Sequence, residues 1–344
     1  DAVSGVELIK STSFPKKGMG GTWSAEIESD TAQTWKDKTA KLTLSYHGTF
    51  RSFDPYAFRM AFSPVLRGEL TTAVPLRELL DDWINPIRRV VSIATGRAED
   101  LTYAALYLSP TGGDVHGQLF GSGVTQEPYE SSLEQVRKIN SPLRLKPDGV
   151  SLLEMIRTWQ RMANVHHPLL ETYGAMLHAT DQHPRSRFLL LLQAIEGTYG
   201  LETKASFAKR LKKHTENRDA VIEAVAGSLD DKQRKFLERN LSTRPPAGLE
   251  SAINWLAKRL PGNVLDRLDA TSLVTAAKAP TGEAENAPDA LRIVRNDLAH
   301  GNRGYDAYEL HEAVNILEVM VRAHALELLG CPVAVSERVL AEDR

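Results

Sequence analysis

Apolar and polar residues alternate along the first part of the chain, a period of two that is typical of β-strands with one buried face. Strands are predicted at residues 23–27, 42–46, 56–62 and 102–108. One helix interrupts this region at residues 76–94, where apolar residues recur at every third or fourth position. The first part of the chain is therefore predicted to be β-rich with one packed helix.

From about residue 150 onward the period becomes helical, and a polar loop is predicted at residues 278–288. Proline and glycine in residues 141–149 mark the best domain boundary. The predicted fold class is α+β, with a β-rich N-terminal domain over residues 1–145 and an all-helical bundle over residues 146–344. The first predicted helix of this second domain is a long amphipathic one that begins at residue 152 and ends at Pro168. The other predicted helices cover residues 185–199, 207–225, 231–241, 249–260, 289–300 and 308–329.

Composition narrows the class of protein. The 344 residues are enough for about two domains. A general nucleic-acid binder usually carries an excess of basic residues, whereas the net charge here is −2 and is spread evenly, so any contact with a nucleic acid must be local. Cys331 is the only cysteine, which excludes an internal disulfide and a cysteine cluster for zinc, and suits a reducing cytoplasm. The longest apolar run, residues 188–192, is too short to span a membrane. No basic and then apolar leader opens the sequence, and we expect a cytoplasmic protein. Because the sequence starts at Asp1 rather than at Met, we expect these residues to be part of something longer.

The clearest candidate chemistry lies in the stretch from Arg295 through Asn296 to His300, which Gly301 follows. Cleaving a phosphodiester without a metal requires a group that transfers protons and a fixed positive charge for the phosphate. A histidine and an arginine supply both, and Asn296 adds a hydrogen-bonding amide. We therefore predict Arg295, Asn296 and His300 as catalytic residues that need no metal and no cofactor.

The spacing of this pair raises a geometric problem. Five residues of an ideal helix advance about 500°, which leaves the Arg295 and His300 side chains about 140° apart. Either the helix is distorted near Asn296, or a second copy of the chain completes the site. The same spacing at Arg161 and His166 lies in a predicted amphipathic helix and indicates ordinary helix surface. A helix end with solvated side chains is the non-functional alternative for Arg295 and His300.

The Arg295–His300 stretch resembles the Arg-x4-6-His signature of HEPN domains, in which a polar residue usually follows the arginine. Residues 187–196 are similar to a helix found in the Apea-like branch of this family. Residues 308–329 fit the long amphipathic helix that follows the motif in family members. The first half is similar to the ApeA N-terminal domain, on the helix 76–96 and the following strand 101–108. This resemblance implies a metal-independent endoribonuclease that acts as a homodimer, in abortive-infection defence against phage, on RNA such as tRNA.

The resemblance also implies roles for residues. Glu196 stands where family members often carry a polar residue that faces the site, and a helix-surface glutamate is the other interpretation. Arg295 would bind phosphate oxygens while the RNA 2′-hydroxyl attacks the phosphorus, and His300 would act as base or acid. Because DNA lacks that hydroxyl, the mechanism predicts cleavage of RNA alone. The N-terminal domain would hold the nuclease in check until a trigger, such as one derived from phage, arrives.

A basic segment offers a second candidate site, since Lys209, Arg210, Lys212 and Lys213 fall close together in a predicted helix. We predict that they follow the RNA backbone, against the alternative of a solvated helix face. A different function for the whole chain also stays open. The helical bundle would then be a non-catalytic dimerisation or nucleotide-binding module attached to a protein-recognition domain.

Overall fold

The chain forms two compact units in the structure, which is a computed structural model. One unit contains the described residues up to Val165 together with those from Ala325 on, and the other contains residues 166–324. The domain boundary predicted at residue 145 stays a prediction. The structure describes residues 3–6, 9–13, 24–27, 31–54, 57–107, 116–121, 124, 141–179, 182–243, 248–278 and 284–341.

Antiparallel strands dominate the start of the first unit. Its largest sheet has the strand order β3-β4-β5, and β4 and β5 form a long hairpin in which Ala40 pairs with Leu70 and Arg51 with Arg59. Leu42 and Leu44 of β4 are buried, as their period of two predicts. Tyr56, Trp23 and Leu108 of the predicted strands lie outside the described residues. The strands are β1 (Ile9–Ser13), β2 (Ser24–Ile27), β3 (Gln33–Lys36), β4 (Ala40–Asp54), β5 (Ala57–Leu70), β6 (Ala105–Tyr107) and β7 (His116–Gln118).

The single helix predicted in this region is present and ends where expected. It runs through α1 (Leu76–Leu79), a π-helical turn (Leu80–Ile84) and α2 (Asn85–Thr95). Gly96 caps it with φ of 73°, a left-handed conformation that glycine adopts without steric cost. Its apolar stripe, including Val90, is buried, so the helix packs into the core of this unit.

An arginine on α3 (Leu152–Asn164) fastens this helix to the three-stranded sheet. The guanidinium of Arg157 lies 4.6 Å from the ring centroid of Trp83, and its Nε donates to Asp37 Oδ2 over 2.8 Å. This hydrogen bond holds the pKa of the Asp37 carboxyl well below its usual range. In the first unit, α3 therefore contacts both the three-stranded sheet and the predicted helix, which packs against α3.

The second unit is all helical, and the predicted α+β class is confirmed. Its core is formed by the apolar stripes of α5 and α11, with Phe188, Leu192, Leu291 and Val294 all buried. The helix at residues 307–328 begins in the second unit and ends in the first, and the helix at residues 333–341 lies in the first unit. From α4 on, the helices are α4 (Pro168–Leu177), α5 (Pro184–Glu202), α6 (Lys204–Ala226), α7 (Asp231–Asn240), α8 (Leu249–Arg259), α9 (Val264–Asp269), α10 (Ser272–Ala277), α11 (Ala287–His300), α12 (Ala307–Leu328) and α13 (Val333–Ala341).

Some predicted boundaries are wrong. The polar loop predicted through residue 288 ends earlier, because Asn286 caps α11 and Pro288 stands in its first turn, where proline is tolerated. Residues 279–283 of that loop lie outside the described part of the chain. The helix predicted from residue 152 stops at Asn164, so His166 lies beyond its end, where it is exposed, and does not share a helix with Arg161. Within the described ranges, the structure contains no helix long and apolar enough to cross a membrane.

Candidate active site

Helix α11 positions the predicted catalytic residues. Its first turn is fixed by Asn286, whose side chain accepts a hydrogen bond from the backbone N–H of Asp289 over 3.0 Å. Leu298 and other apolar residues on one face are buried, which fixes the rotation of the helix. The helix ends at His300, because Gly301 adopts φ of 72° and reverses the chain. The motif therefore occupies the C-terminal half of a well-anchored helix.

Arg295 is held from two sides. Its Nη2 lies 3.2 Å from Oε2 of Glu196 on α5, and its Nη1 donates to Oδ1 of Asn296 over 3.1 Å. The Arg295 and Glu196 side chains are 39% and 31% exposed, so the ion pair is open to solvent and to a ligand. A guanidinium has five N–H donors, and these two contacts leave donors for phosphate oxygens. The structure thus brings together Glu196, Arg295 and Asn296.

His300 is exposed at the end of α11. Within the described part of the chain, no residue hydrogen-bonds to its ring, so both ring nitrogens are accessible to a substrate. Asn296 and His300 stand one turn apart, about 40° around the helix, and share a face. Asn296 therefore links the guanidinium of Arg295 to the face on which His300 lies.

The distortion that would bring Arg295 and His300 together within one chain is not seen. Helix α11 is continuous from Ala287 to His300, so the two residues stay about 140° apart around its axis. Arg185 of α5 strengthens this end by donating to the carbonyl of Leu298, one of the groups that the end of a helix leaves without a partner. One copy of the chain therefore presents the arginine and the histidine in different directions.

The predicted basic segment divides into two kinds of residue. Lys209, Lys212 and Lys213 of α6 are exposed. Arg210 is half-buried, with its Nη2 donating to the hydroxyl of Tyr199 over 3.0 Å and its guanidinium 5.8 Å from the ring centroid of that residue. The lysines are available to a polyanion, whereas Arg210 fastens α6 to α5.

Sequence reasoning missed the residues that follow the motif. Tyr305 donates its hydroxyl to Oδ2 of Asp297 over 2.6 Å, and the guanidinium of Arg303 lies 5.0 Å from the centroid of the Tyr305 ring. The available signal was a positive charge three residues after His300, in a loop between glycines. In the described ranges, no three His, Cys, Asp or Glu side chains form a group that could hold a metal ion.

Comparison with known proteins gives one family. Residues 170–333 match the model of the family described as Apea-like HEPN. Neither the curated proteins nor the solved structures contain a match to this chain. HEPN domains bind RNA, often dimerise and are often ribonucleases, with roles in defence. Residues 170–333, which include Glu196, Arg295 and His300, belong to the Apea-like HEPN family.

Proposed function

We propose that this protein is a metal-independent endoribonuclease. The observation that carries the proposal is the arrangement on α11, inside an Apea-like HEPN domain. Arg295 is oriented by Glu196 and Asn296, and His300 stands exposed on the face of Asn296. Cleavage of a phosphodiester without a metal requires a fixed cation and an accessible group for proton transfer, and Arg295 and His300 supply one each.

The proposed reaction uses the RNA itself as nucleophile. The 2′-oxygen attacks the adjacent phosphorus as its proton is removed, the bond to the 5′-oxygen breaks, and that oxygen is protonated. The products are a 2′,3′-cyclic phosphate and a free 5′-hydroxyl. His300 performs one of the two proton transfers, and Arg295 stabilises the charge on the non-bridging phosphate oxygens through paired N–H donors.

A second copy of the chain completes the proposed site. Because α11 is straight, His300 and Arg295 of one copy diverge, and two copies of α11 facing each other would bring both motifs into one cleft. The proposed site combines Arg295 of one copy with His300 of the other, so a homodimer would hold two such sites.

The experiment that tests the function compares RNA with an oligonucleotide of the same sequence that carries a 2′-deoxy sugar at the cleaved position. We expect cleavage of the RNA in EDTA and none of the deoxy-substituted strand, because the nucleophile is missing. Cleavage of both strands would contradict the mechanism. Tight RNA binding with no cleavage, in the presence of the activating signal, would favour the non-catalytic nucleotide-binding module instead.

The biological role that we propose is abortive-infection defence against phage. The nuclease would act in the cytoplasm on RNA such as tRNA, since loss of tRNA stops the translation on which phage growth depends. An unregulated ribonuclease harms its own cell, and we propose that the ApeA-like domain over residues 1–145 restrains it until a phage-derived trigger arrives. Family membership supports an RNA-related defence role for the helical part.

Exposed lysines on α6 are the proposed RNA-backbone contacts. Changing Lys209, Lys212 and Lys213 to glutamate should weaken RNA binding at least about ten-fold and reduce the salt dependence by about 2 in the log–log slope, since each lost contact to single-stranded RNA accounts for about 0.7. The measurement is fluorescence anisotropy at several salt concentrations. The matched control changes three other exposed lysines to glutamate: Lys36, Lys38 and Lys258. Equal losses in both triple variants would indicate a general charge effect and no specific contact.

A further inference from the structure

Asp297 fastens the loop that follows His300. Its backbone carbonyl accepts the N–H groups of Gly301 and Asn302, and its carboxylate accepts the hydroxyl of Tyr305. Burial and this carboxylate together raise the pKa of Tyr305 to about 12, so the hydroxyl stays protonated and keeps donating. One residue inside the motif therefore fixes both the end of α11 and the loop beyond it.

Arg303 rests on the ring that this hydrogen bond holds. Its guanidinium lies 5.0 Å from the centroid of Tyr305, a distance at which a cation and an aromatic face attract each other. Arg303 is exposed, and among the described residues no carboxylate pairs with it. By contrast, Arg295 pairs with Glu196, and Arg292 pairs with Glu250 and Asp289. A guanidinium attracted to an aromatic face keeps its N–H donors for other partners, because the ring accepts no conventional hydrogen bond from them.

Both ends of the loop are fixed, so Arg303 stays near the motif. Gly301 provides the left-handed turn at one end. At the other end, Asp306 accepts a hydrogen bond from the backbone N–H of Tyr308 over 2.8 Å and starts α12. Three residues of chain span at most about 10 Å, which keeps the Cα of Arg303 within that distance of the Cα of His300.

We propose that Arg303 is a second phosphate-binding arginine, which binds an RNA phosphate next to the one that is cleaved, and that Asp297 and Tyr305 are its positioning residues. The proposal rests on the proposed ribonuclease function and adds a specific RNA contact to it. An oriented, exposed guanidinium without a carboxylate partner offers paired donors to a phosphate at little cost in side-chain entropy.

The test measures binding in a His300→Ala background, so that the RNA stays intact. The probe is a fluorescently labelled single-stranded RNA, titrated at several salt concentrations. Arg303→Gln should weaken binding about ten-fold and lower the log–log salt slope by about 0.7, the value for one phosphate contact. Arg303→Lys should restore the slope but not the full affinity. Arg77→Gln, at an arginine whose side chain is 94% exposed, removes the same charge and should change neither quantity.

Tyr305 tests the positioning role separately. Tyr305→Ala should weaken RNA binding about three-fold, and adding Arg303→Gln to it should cost less than in the parent, because the two side chains form one unit. Tyr305→Phe keeps the ring but loses the hydroxyl that Asp297 holds, so it should weaken RNA binding by less than Tyr305→Ala does. Fully additive losses, with thermal stability unchanged, would contradict the positioning role.

Failure of this inference differs from failure of the proposed function. If wild type cleaves RNA and His300→Ala does not, but Arg303→Gln binds like its parent, the second phosphate contact alone is wrong. If Arg303→Gln changes which RNA sequence is preferred and leaves the slope unchanged, Arg303 contacts a base and the proposal is overturned. If wild type never cleaves but the slope still falls in Arg303→Gln, the RNA contact stands without the nuclease. No RNA binding by the parent would overturn both.

Discussion

Replacing His300 with alanine should lower the rate of RNA cleavage at least about a thousand-fold, since positioned proton transfer contributes about 10²–10⁴ in rate. RNA binding should stay within a few-fold of wild type, because Arg295 and the exposed lysines are untouched. The measurement is a single-turnover cleavage rate with saturating enzyme.

The fold of the His300→Ala variant should be intact. The imidazole is exposed and makes no hydrogen bond to the described part of the chain, and alanine is a good helix former. The matched control is His311→Ala, which removes another exposed histidine, on α12, and should cleave RNA like wild type. Wild-type rates in His300→Ala would remove this residue from the mechanism.

Replacing Arg295 with alanine should lower the cleavage rate about 10²–10³-fold, the effect of losing one preorganised donor to a developing oxyanion. Arg295→Lys should recover only a small part, because an ammonium keeps the charge but not the planar pair of donors. Stability should change little, since the ion pair with Glu196 is partly exposed. Arg292→Ala is the control on the same helix. It removes the partner of Asp289 and should cost stability rather than activity.

Mixing two inactive variants distinguishes a site shared between copies from a site within one copy. If the site combines Arg295 of one copy with His300 of the other, a heterodimer of Arg295→Ala and His300→Ala regains one intact site. Random mixing makes half of the dimers mixed, so activity should return to one quarter of wild type. A mixture as inactive as its components would contradict the shared site.

Local signals were sufficient for the helix ends that matter to the site. Gly301 follows the helix predicted at residues 289–300 and adopts the left-handed conformation for which glycine is suited. The apolar run at residues 188–192 in α5 and the amphipathic pattern of α11 were enough to predict these two helices. The short α9 and α10 carry too few turns for a period to be recognised, and they were missed.

Contacts between distant residues could not be read from local pattern. Glu196 and Arg295 are 99 positions apart, and only the family resemblance suggested that the glutamate faces the site. Arg210 looked like its neighbouring lysines in sequence, yet the structure pairs it with Tyr199 on another helix. The stacking of Arg303 on Tyr305 depends on the turn after His300, which alternation and spacing do not encode. Side-chain partners, unlike helix periods, are set by tertiary packing.

End-group analysis of RNA after incubation with wild type or His300→Ala in EDTA tests most directly whether His300 cleaves RNA without a metal. Single-stranded RNA and bulk tRNA are the substrates, and the activating signal is supplied where one is known. We expect wild type alone to yield fragments with 2′,3′-cyclic phosphate and 5′-hydroxyl ends. Equal cleavage by both proteins, or cleavage that EDTA abolishes, would contradict the account.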